Sequence, residues 1–414
     1  MNLNYQPIIN IGTLGSVSDG KSTLIYQLTG IKTQKHSSEK NRNITIKAGY
    51  ANLKIWKCNI CSELYSTDSD KYNYICNNCL DLDSEIESNC SLVNHISFVD
   101  CPGHQELILT MLGSVSLMKG VIVVVSAAEP IKKKPQLIQH LKALKLANIN
   151  KIIICFNKLD LISKEIAIER KKELDDLLLE LNITPNIIIP TSFNKKIGLS
   201  SILRYIMELY NPSNIINENI NNKTLFRITR TFDINKPGIS WENVKGGVLG
   251  GGLIDGSLKI GDEIEIRPGI ILKDKTHKPI ITKILSLKTD KINLTSITPG
   301  GLIGIETTID PYYCKNDMLI GNIIGHVGEL PKVYKEIKLN YTKLEDFDGL
   351  WEPKNNDIVY LQIGNISTEA KLIDSTSMYL SLLNPVCIET NIIILVCKKE
   401  LNTLIIVGYG YIID

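Results

Sequence analysis

Gly15-Ser16-Val17-Ser18-Asp19-Gly20-Lys21-Ser22 is the stretch that decides the fold. It reads G-x-x-x-x-G-K-S, the pattern of a loop whose backbone N–H groups cradle phosphates. Lys21 suits the β- and γ-phosphates, and the Ser22 hydroxyl suits Mg²⁺. Phosphate contacts are expected from Gly15, Ser18, Asp19, Gly20, Lys21, Ser22 and Thr23. The flanks supply the context the pattern needs. Ile8–Leu14 reads as a strand leading in. Lys21–Leu28 reads as a helix leading out, with Leu24, Ile25 and Leu28 on one face and Gly30 placed to stop it.

Outward from the loop, strand and helix alternate to about residue 210. Strands are predicted at His95–Asp100, Gly120–Ser126, Lys151–Phe156 and Asn186–Pro190. Helices are predicted at Gln105–Met118, Pro135–Ala147, Lys164–Leu181 and Leu199–Leu209. This alternation means βαβ units and a mostly parallel sheet. Asn211–Lys223 is rich in Asn, has one Pro and reads as a linker. Beyond it the helical period disappears, and short strand-like runs recur between Gly, Pro, Asn and Asp, as in β-barrels. The expected domains are an α/β P-loop domain at 1–210, with an insertion at 56–82, then β-barrels at 224–327 and 328–414. The Gly-dense run Gly246–Gly252 lies in the β region, where a tight turn or close packing explains it better than phosphate binding.

A chain of 414 residues is long enough for several cores. Hydrophobic residues at 43% and charged ones at 22% describe a globular protein. No apolar run approaches the ~20 residues that span a bilayer, so no membrane partner is expected. The first ten residues lack a signal peptide's charged start and apolar core. With unmatched cysteines scattered along the chain, this points to the reducing cytoplasm. A formal charge of only +2 means that nucleic-acid contact needs a local basic surface.

Asp100-Cys101-Pro102-Gly103-His104 follows directly on a predicted strand. In GTPases an Asp-x-x-Gly there holds Mg²⁺ through a water with its Asp and touches the γ-phosphate with its Gly. His104 is then placed to orient the attacking water, and phosphoryl transfer relies mainly on such positioning. Asn157-Lys158-Leu159-Asp160 ends a parallel strand, where ligands sit in α/β sheets. The Asp160 carboxylate can accept from guanine N1–H and N2–H₂, a pair that adenine does not offer. Pro190-Thr191-Ser192 follows the last strand, where backbone amides are expected to hold guanine O6, with Phe193 beside the pocket. Thr45 lies between the loop and Asp100, where it can complete the Mg²⁺ shell only while a γ-phosphate holds its segment.

Cys58-x-x-Cys61 and Cys76-x-x-Cys79 are two pairs separated by 14 residues, a spacing suited to tetrahedral Zn²⁺ with four thiolates. Four protein ligands leave no open position, so a structural zinc is expected. The other cysteines (Cys90, Cys101, Cys155, Cys314, Cys387, Cys397) read as small core residues, Trp56 as packing for the knuckle, and Lys132-Lys133-Lys134 as a solvated face.

Together these motifs resemble the gamma subunit of eukaryotic and archaeal translation initiation factor 2. Asn10–Gly15 is similar to that family's opening, and Arg42-Asn43-Ile44-Thr45-Ile46-Lys47-Ala48-Gly49-Tyr50-Ala51 to its first switch. Phe232–Gly238, Lys245–Val248, Arg267-Pro268-Gly269, Pro299–Gly304 and Asn384–Cys387 extend the likeness through nearly the whole chain. The resemblance implies a GTPase with GTP or GDP, Mg²⁺ and Zn²⁺. It implies a complex with alpha and beta subunits that carries methionylated initiator tRNA to the small ribosomal subunit, with GTPase-activating and exchange factors as further partners. It places Asn43 and Tyr50 near the aminoacylated tRNA end.

The family usually has His where this chain has Ser16 and Asp19, a small residue where it has Phe193, and a Pro-containing polar loop where it has Lys132–Lys134. A carboxylate at position 19 weakens phosphate binding unless it turns outward or toward a cation. Two other readings stay open on sequence alone. One is an elongation-type carrier of another aminoacyl-tRNA, such as a selenocysteine-specific one. The zinc insertion and the Asn43–Tyr50 string argue against it. The other is a GTP-binding scaffold that does not hydrolyse.

Overall fold

The computed structural model describes residues 5–33, 49–68, 70–79, 89–102, 113–115, 117–212, 223–236, 238–272, 276–344, 351–400 and 403–413. The chain divides into two compact units, 1–218 and 219–414. In the first, seven strands form one sheet: β1 (Ile9–Leu14), β2 (Gly49–Cys58), β3 (Leu64–Thr67), β4 (Cys90–Asp100), β5 (Gly120–Ser126), β6 (Ile152–Asn157) and β7 (Ile187–Pro190). Their order is β3-β2-β4-β1-β5-β6-β7. The five strands from β4 to β7 run parallel. The hairpin β2–β3 adds antiparallel strands at one edge.

β1, β5 and β6 are buried along their whole length, which explains their unbroken apolar runs. The helices are α1 (Lys21–Thr29), α2 (Pro135–Leu146), α3 (Lys164–Glu180) and α4 (Leu199–Leu209). Each lies within a residue or two of its predicted span. α4 buries Ile202, Leu203 and Ile206 in the core formed with Leu24, Ile25 and Phe98. Burial of such side chains is worth about 1.5–3 kcal/mol each. Most of the helix predicted at Gln105–Met118 lies outside the described residues.

In the second unit, β8 (Leu225–Phe232), β9 (Val248–Asp255), β11 (Glu263–Ile271), β12 (His277–Thr289), β15 (Ile303–Thr307) and β16 (Ile323–His326) close into a barrel through the β11–β12 pairing. β13 (Ile292–Leu294) flanks it, and β10 (Leu258–Lys259) pairs with β14 (Ser296–Ile297). A second closed barrel holds β17 (Val333–Lys343), β18 (Ile358–Ile363), β19 (Ile366–Asp374), β20 (Tyr379–Cys387), β21 (Ile394–Glu400) and β22 (Thr403–Ile413). Each barrel has its own apolar core. The Gly-dense run enters β9 rather than a turn. A Cβ at Gly251 would lie 1.8 Å from the Arg227 carbonyl oxygen, so close packing accounts for the glycine.

Candidate guanine-nucleotide site and metal centre

The loop between β1 and α1 sits at the C-terminal edge of the parallel strands. Gly20 has φ 113°, and a Cβ there would lie 2.6 Å from Asn157 Nδ2, so only glycine fits. Lys21 is buried, and its ammonium donates to the carbonyls of Gly15 (3.0 Å) and Ser16 (2.8 Å). Two of its three N–H groups thus anchor it across the loop, and one remains for a phosphate. Burial pushes its pKa down, against the nearby Asp100 and Asp19 carboxylates.

Asp100, at the end of β4, is fully buried. One carboxylate oxygen accepts from the Ser22 (2.7 Å) and Thr33 (2.6 Å) hydroxyls, and the other from Thr13 (3.1 Å). This cluster of hard oxygens around one carboxylate suits Mg²⁺ held by Ser22, with Asp100 acting through water. Thr33 and Thr13 carry no sequence signal for this role, because each meets Asp100 only through the tertiary fold.

Asp19 turns toward a cation. Its carboxylate accepts from Lys134 Nζ at 2.5 Å and from the Ser16 amide at 2.9 Å. Both partners of the ion pair are at least 97% buried. This corrects the expectation that Lys132–Lys134 is simply a solvated face. Lys132 and Lys133 are exposed, but Lys134 is drawn inward by Asp19.

At the base end, Asn157 joins the two halves of the site. Its amide nitrogen donates to the Asp19 carbonyl (2.9 Å), and its oxygen accepts from the Phe193 amide (3.2 Å). Lys158 turns the chain with φ 64°. Asp160 accepts from the Ser192 hydroxyl at 2.6 Å. That bond, chiefly, holds its carboxyl below the usual range. The amides expected to hold guanine O6 are already bonded. Thr191 N–H donates to Phe156 and Ser192 N–H to Ile197. Local strand and turn bonding claims these donors, whereas the Asp160 side chain is engaged by the bond from Ser192. Phe193 is buried and belongs to the core cluster.

Cys58, Cys61, Cys76 and Cys79 bring their sulfurs within 4.8 Å of one another. The Cys61 and Cys76 sulfurs are 3.8 Å apart. Zinc–sulfur bonds near 2.3 Å in a tetrahedron place sulfurs roughly 3.8 Å apart, so the donor set fits zinc. The Cys61 amide, above all, pulls the Cys58 thiol down to about 6, while hydrogen bonding with the Cys61 thiol, chiefly, pushes Cys79 up to about 12. Trp56 packs in a cluster with Cys58, Cys76, Cys79 and Cys90, and its indole donates to Thr67. The six remaining cysteines are buried. Tyr50 stands in β2, opposite Val99 of β4. Asn43, Thr45, Gly103 and His104 lie outside the described residues. Among the described residues, no helix is long and apolar enough to cross a membrane.

The G-x-x-x-x-G-K-S loop, a buried Asp100 at its Ser22, and the Asn157–Asp160 turn after β6 together carry the pattern of a P-loop GTPase site. Residues 6–212 match the elongation factor Tu GTP binding domain family, which makes the chain a translational GTPase. It is 36% identical to eukaryotic translation initiation factor 2 subunit gamma of Encephalitozoon cuniculi, over all of this chain and 94% of that protein. It is 35% identical to eukaryotic translation initiation factor 2 subunit 3 of Drosophila melanogaster, over 99% and 89%. The archaeal subunit gamma of Methanococcus maripaludis matches at 36% over the full length of both. The chain belongs to the gamma-subunit family of translation initiation factor 2. By fold it is also similar to a bacterial selenocysteine-specific elongation factor, EF-Sec. The TM-score is 0.71 at 20% identity, covering 98% of this chain and 58% of that one. Identity that low speaks for a shared fold alone.

Proposed function

We propose that this chain carries methionylated initiator tRNA to the small ribosomal subunit while GTP is bound, and uses hydrolysis as the switch. What supports the reading is the full-length likeness to gamma subunits, together with the Ser22–Asp100 and Ser192–Asp160 hydrogen bonds among the motif residues. In this proposal the backbone N–H groups of Gly15, Ser18–Thr23 and Gly103, with the Lys21 ammonium, bind phosphates, and the Asp19 side chain takes no part. Asn157, Lys158, Asp160, Ser192 and Phe193 frame the guanine. Ser22, Thr45 and, through water, Asp100 hold Mg²⁺. His104 aims the attacking water, and Asn43 and Tyr50 meet the tRNA end. The four cysteines hold one structural Zn²⁺. The domains are 1–210, 224–327 and 328–414, working in the cytoplasm with alpha and beta subunits and with activating and exchange factors.

Filter binding with purified chain and GTP should retain charged initiator tRNA and reject charged elongator tRNA; equal retention of the two overturns the carrier reading. Single-turnover hydrolysis with an activating partner should fall on His104→Ala, and an unchanged rate removes His104 from the mechanism. Metal analysis should find one zinc per chain, absent from Cys76→Ser; zinc that survives the substitution argues against the four-thiolate site.

A further inference from the structure

The Asp19–Lys134 pair is a buried ion pair inside a loop that must receive several negative charges. A buried pair contributes little net stability, because desolvation offsets most of the attraction. Its placement also runs against local preference. Lys134 is the N-cap residue of α2 and makes no side-chain cap bond. A cation there opposes the helix dipole. Something other than helix stability therefore holds it in place, and its contacts say what. Lys134 Nζ meets one oxygen of Asp19, while the other oxygen receives the Ser16 amide and so fixes the first turn of the loop. Asp19 Oδ2 would also lie 3.5 Å from a Cβ at Gly15, which puts this carboxylate against the loop's entry. Glu129, 3.7 Å from Lys134, is largely exposed and competes weakly.

We propose that Lys134 is a positioning residue for the nucleotide: it cancels the one carboxylate inside the phosphate loop and holds that carboxylate on the Ser16 amide. With Lys134 present, Asp19 is paired off and the charges of Gly15–Ser22 with Lys134 sum to one positive, that of Lys21. Without Lys134, Asp19 offsets Lys21, and the loop meets the phosphates with no net charge. The inference rests on Gly15–Ser22 being the nucleotide's phosphate loop.

The test compares GMP, GDP and GTP affinity, by calorimetry on the full chain, for the native protein and its variants. Lys134→Met should weaken GDP binding about tenfold or more, because it leaves a buried charge unpaired. The loss should grow from GMP to GTP, as charge repulsion requires and simple loss of packing does not. Lys134→Arg should stay near native. Asp19→Asn combined with Lys134→Met, which removes both charges, should return GDP affinity to within about threefold of native, since neutralising both partners leaves no stranded charge. A folded Lys134→Met chain with native GDP affinity overturns the inference, as does a double variant as weak as the single one. If Lys134→Met does not fold, the double variant decides alone, and a tenfold loss in it overturns the proposal. Failure of the native chain to bind GDP defeats the reading of the site itself; native binding with an indifferent Lys134→Met defeats only this inference.

Discussion

The two ends of the nucleotide site are built on different principles. The base end is made of short-range pieces: Asn157–Asp160 leave β6 and Thr191–Phe193 leave β7, and Ser192 bonds Asp160 across neighbouring strand ends. The phosphate end is made of buried charges. Lys21, Asp19, Lys134 and Asp100 are all nearly inaccessible; Lys21 is held by carbonyls of its own loop, whereas Asp19, Lys134 and Asp100 each also depend on a group distant in sequence. A site of the first kind is carried by motif residues alone. One of the second kind also depends on partners that no local pattern names. Variation at the phosphate end therefore has to come in compensating sets, whereas the base end tolerates change only within its own few residues.

The largest effect is expected at the base end, where the proposed reading of guanine falls chiefly on Asp160. The neighbouring amides of Thr191 and Ser192 are committed to strand and turn bonds. Asp160→Asn should therefore lower GTP affinity roughly a hundredfold or more, and should favour xanthosine triphosphate, whose base presents the complementary pattern. Competition binding with the two nucleotides measures both arms. If the preference for guanine persists, Asp160 is not the reader and the contrast between the two ends collapses.

This contrast also explains what was legible in the sequence. The loop, Asp100 and Asn157–Asp160 are local strings whose chemistry follows from spacing, and the helices around them are visible through apolar period. The cysteine pairs announce their cluster because tetrahedral ligands come in C-x-x-C turns. Lys134 was illegible for a physical reason. A lysine in a run of three reads as solvated, and only a carboxylate 115 positions earlier draws it inward. The two most unusual features of the chain relative to the family it resembles, Asp19 and the lysine run, thus meet in one ion pair. Thr33 was missed likewise, since nothing in Ile31-Lys32-Thr33 hints at Asp100. The hairpin β2–β3 carries no clear sequence signal, because its residues are mixed in character and its burial is tertiary: Ala51, Leu53 and Ile55 enter the main core, and Trp56 and Tyr65 pack in the cysteine cluster. The amides after β7 misled in the opposite direction: spacing placed them well but could not show that they were already engaged.

A smaller effect should expose the phosphate end's charge burden in the stability of the domain. His140 lies on α2, six residues beyond Lys134, and is 2% exposed. Burial, with the Lys21 charge adding to it, lowers its pKa to about 3 from an ordinary 6.5. Above pH 6.5 the imidazole is neutral whether the chain is folded or unfolded, and it contributes nothing. Between pH 6.5 and about 3 the unfolded chain takes a proton that the folded domain refuses, so stability falls as pH falls. Each unit in that window is worth about 1.4 kcal/mol, so the loss at pH 5 is about 2 kcal/mol. His140→Leu should remove this part of the slope. Its Nδ1 has no hydrogen-bond partner among the described residues, so an apolar replacement strands no polar group there. Urea unfolding of the native and His140→Leu chains at pH 7 and pH 5 gives the difference directly, and common contributions from other groups cancel. Equal pH dependence in the two chains would mean that His140 accepts a proton in place, and that the interior behind Lys21 is wetter and less positive than its buried charges require.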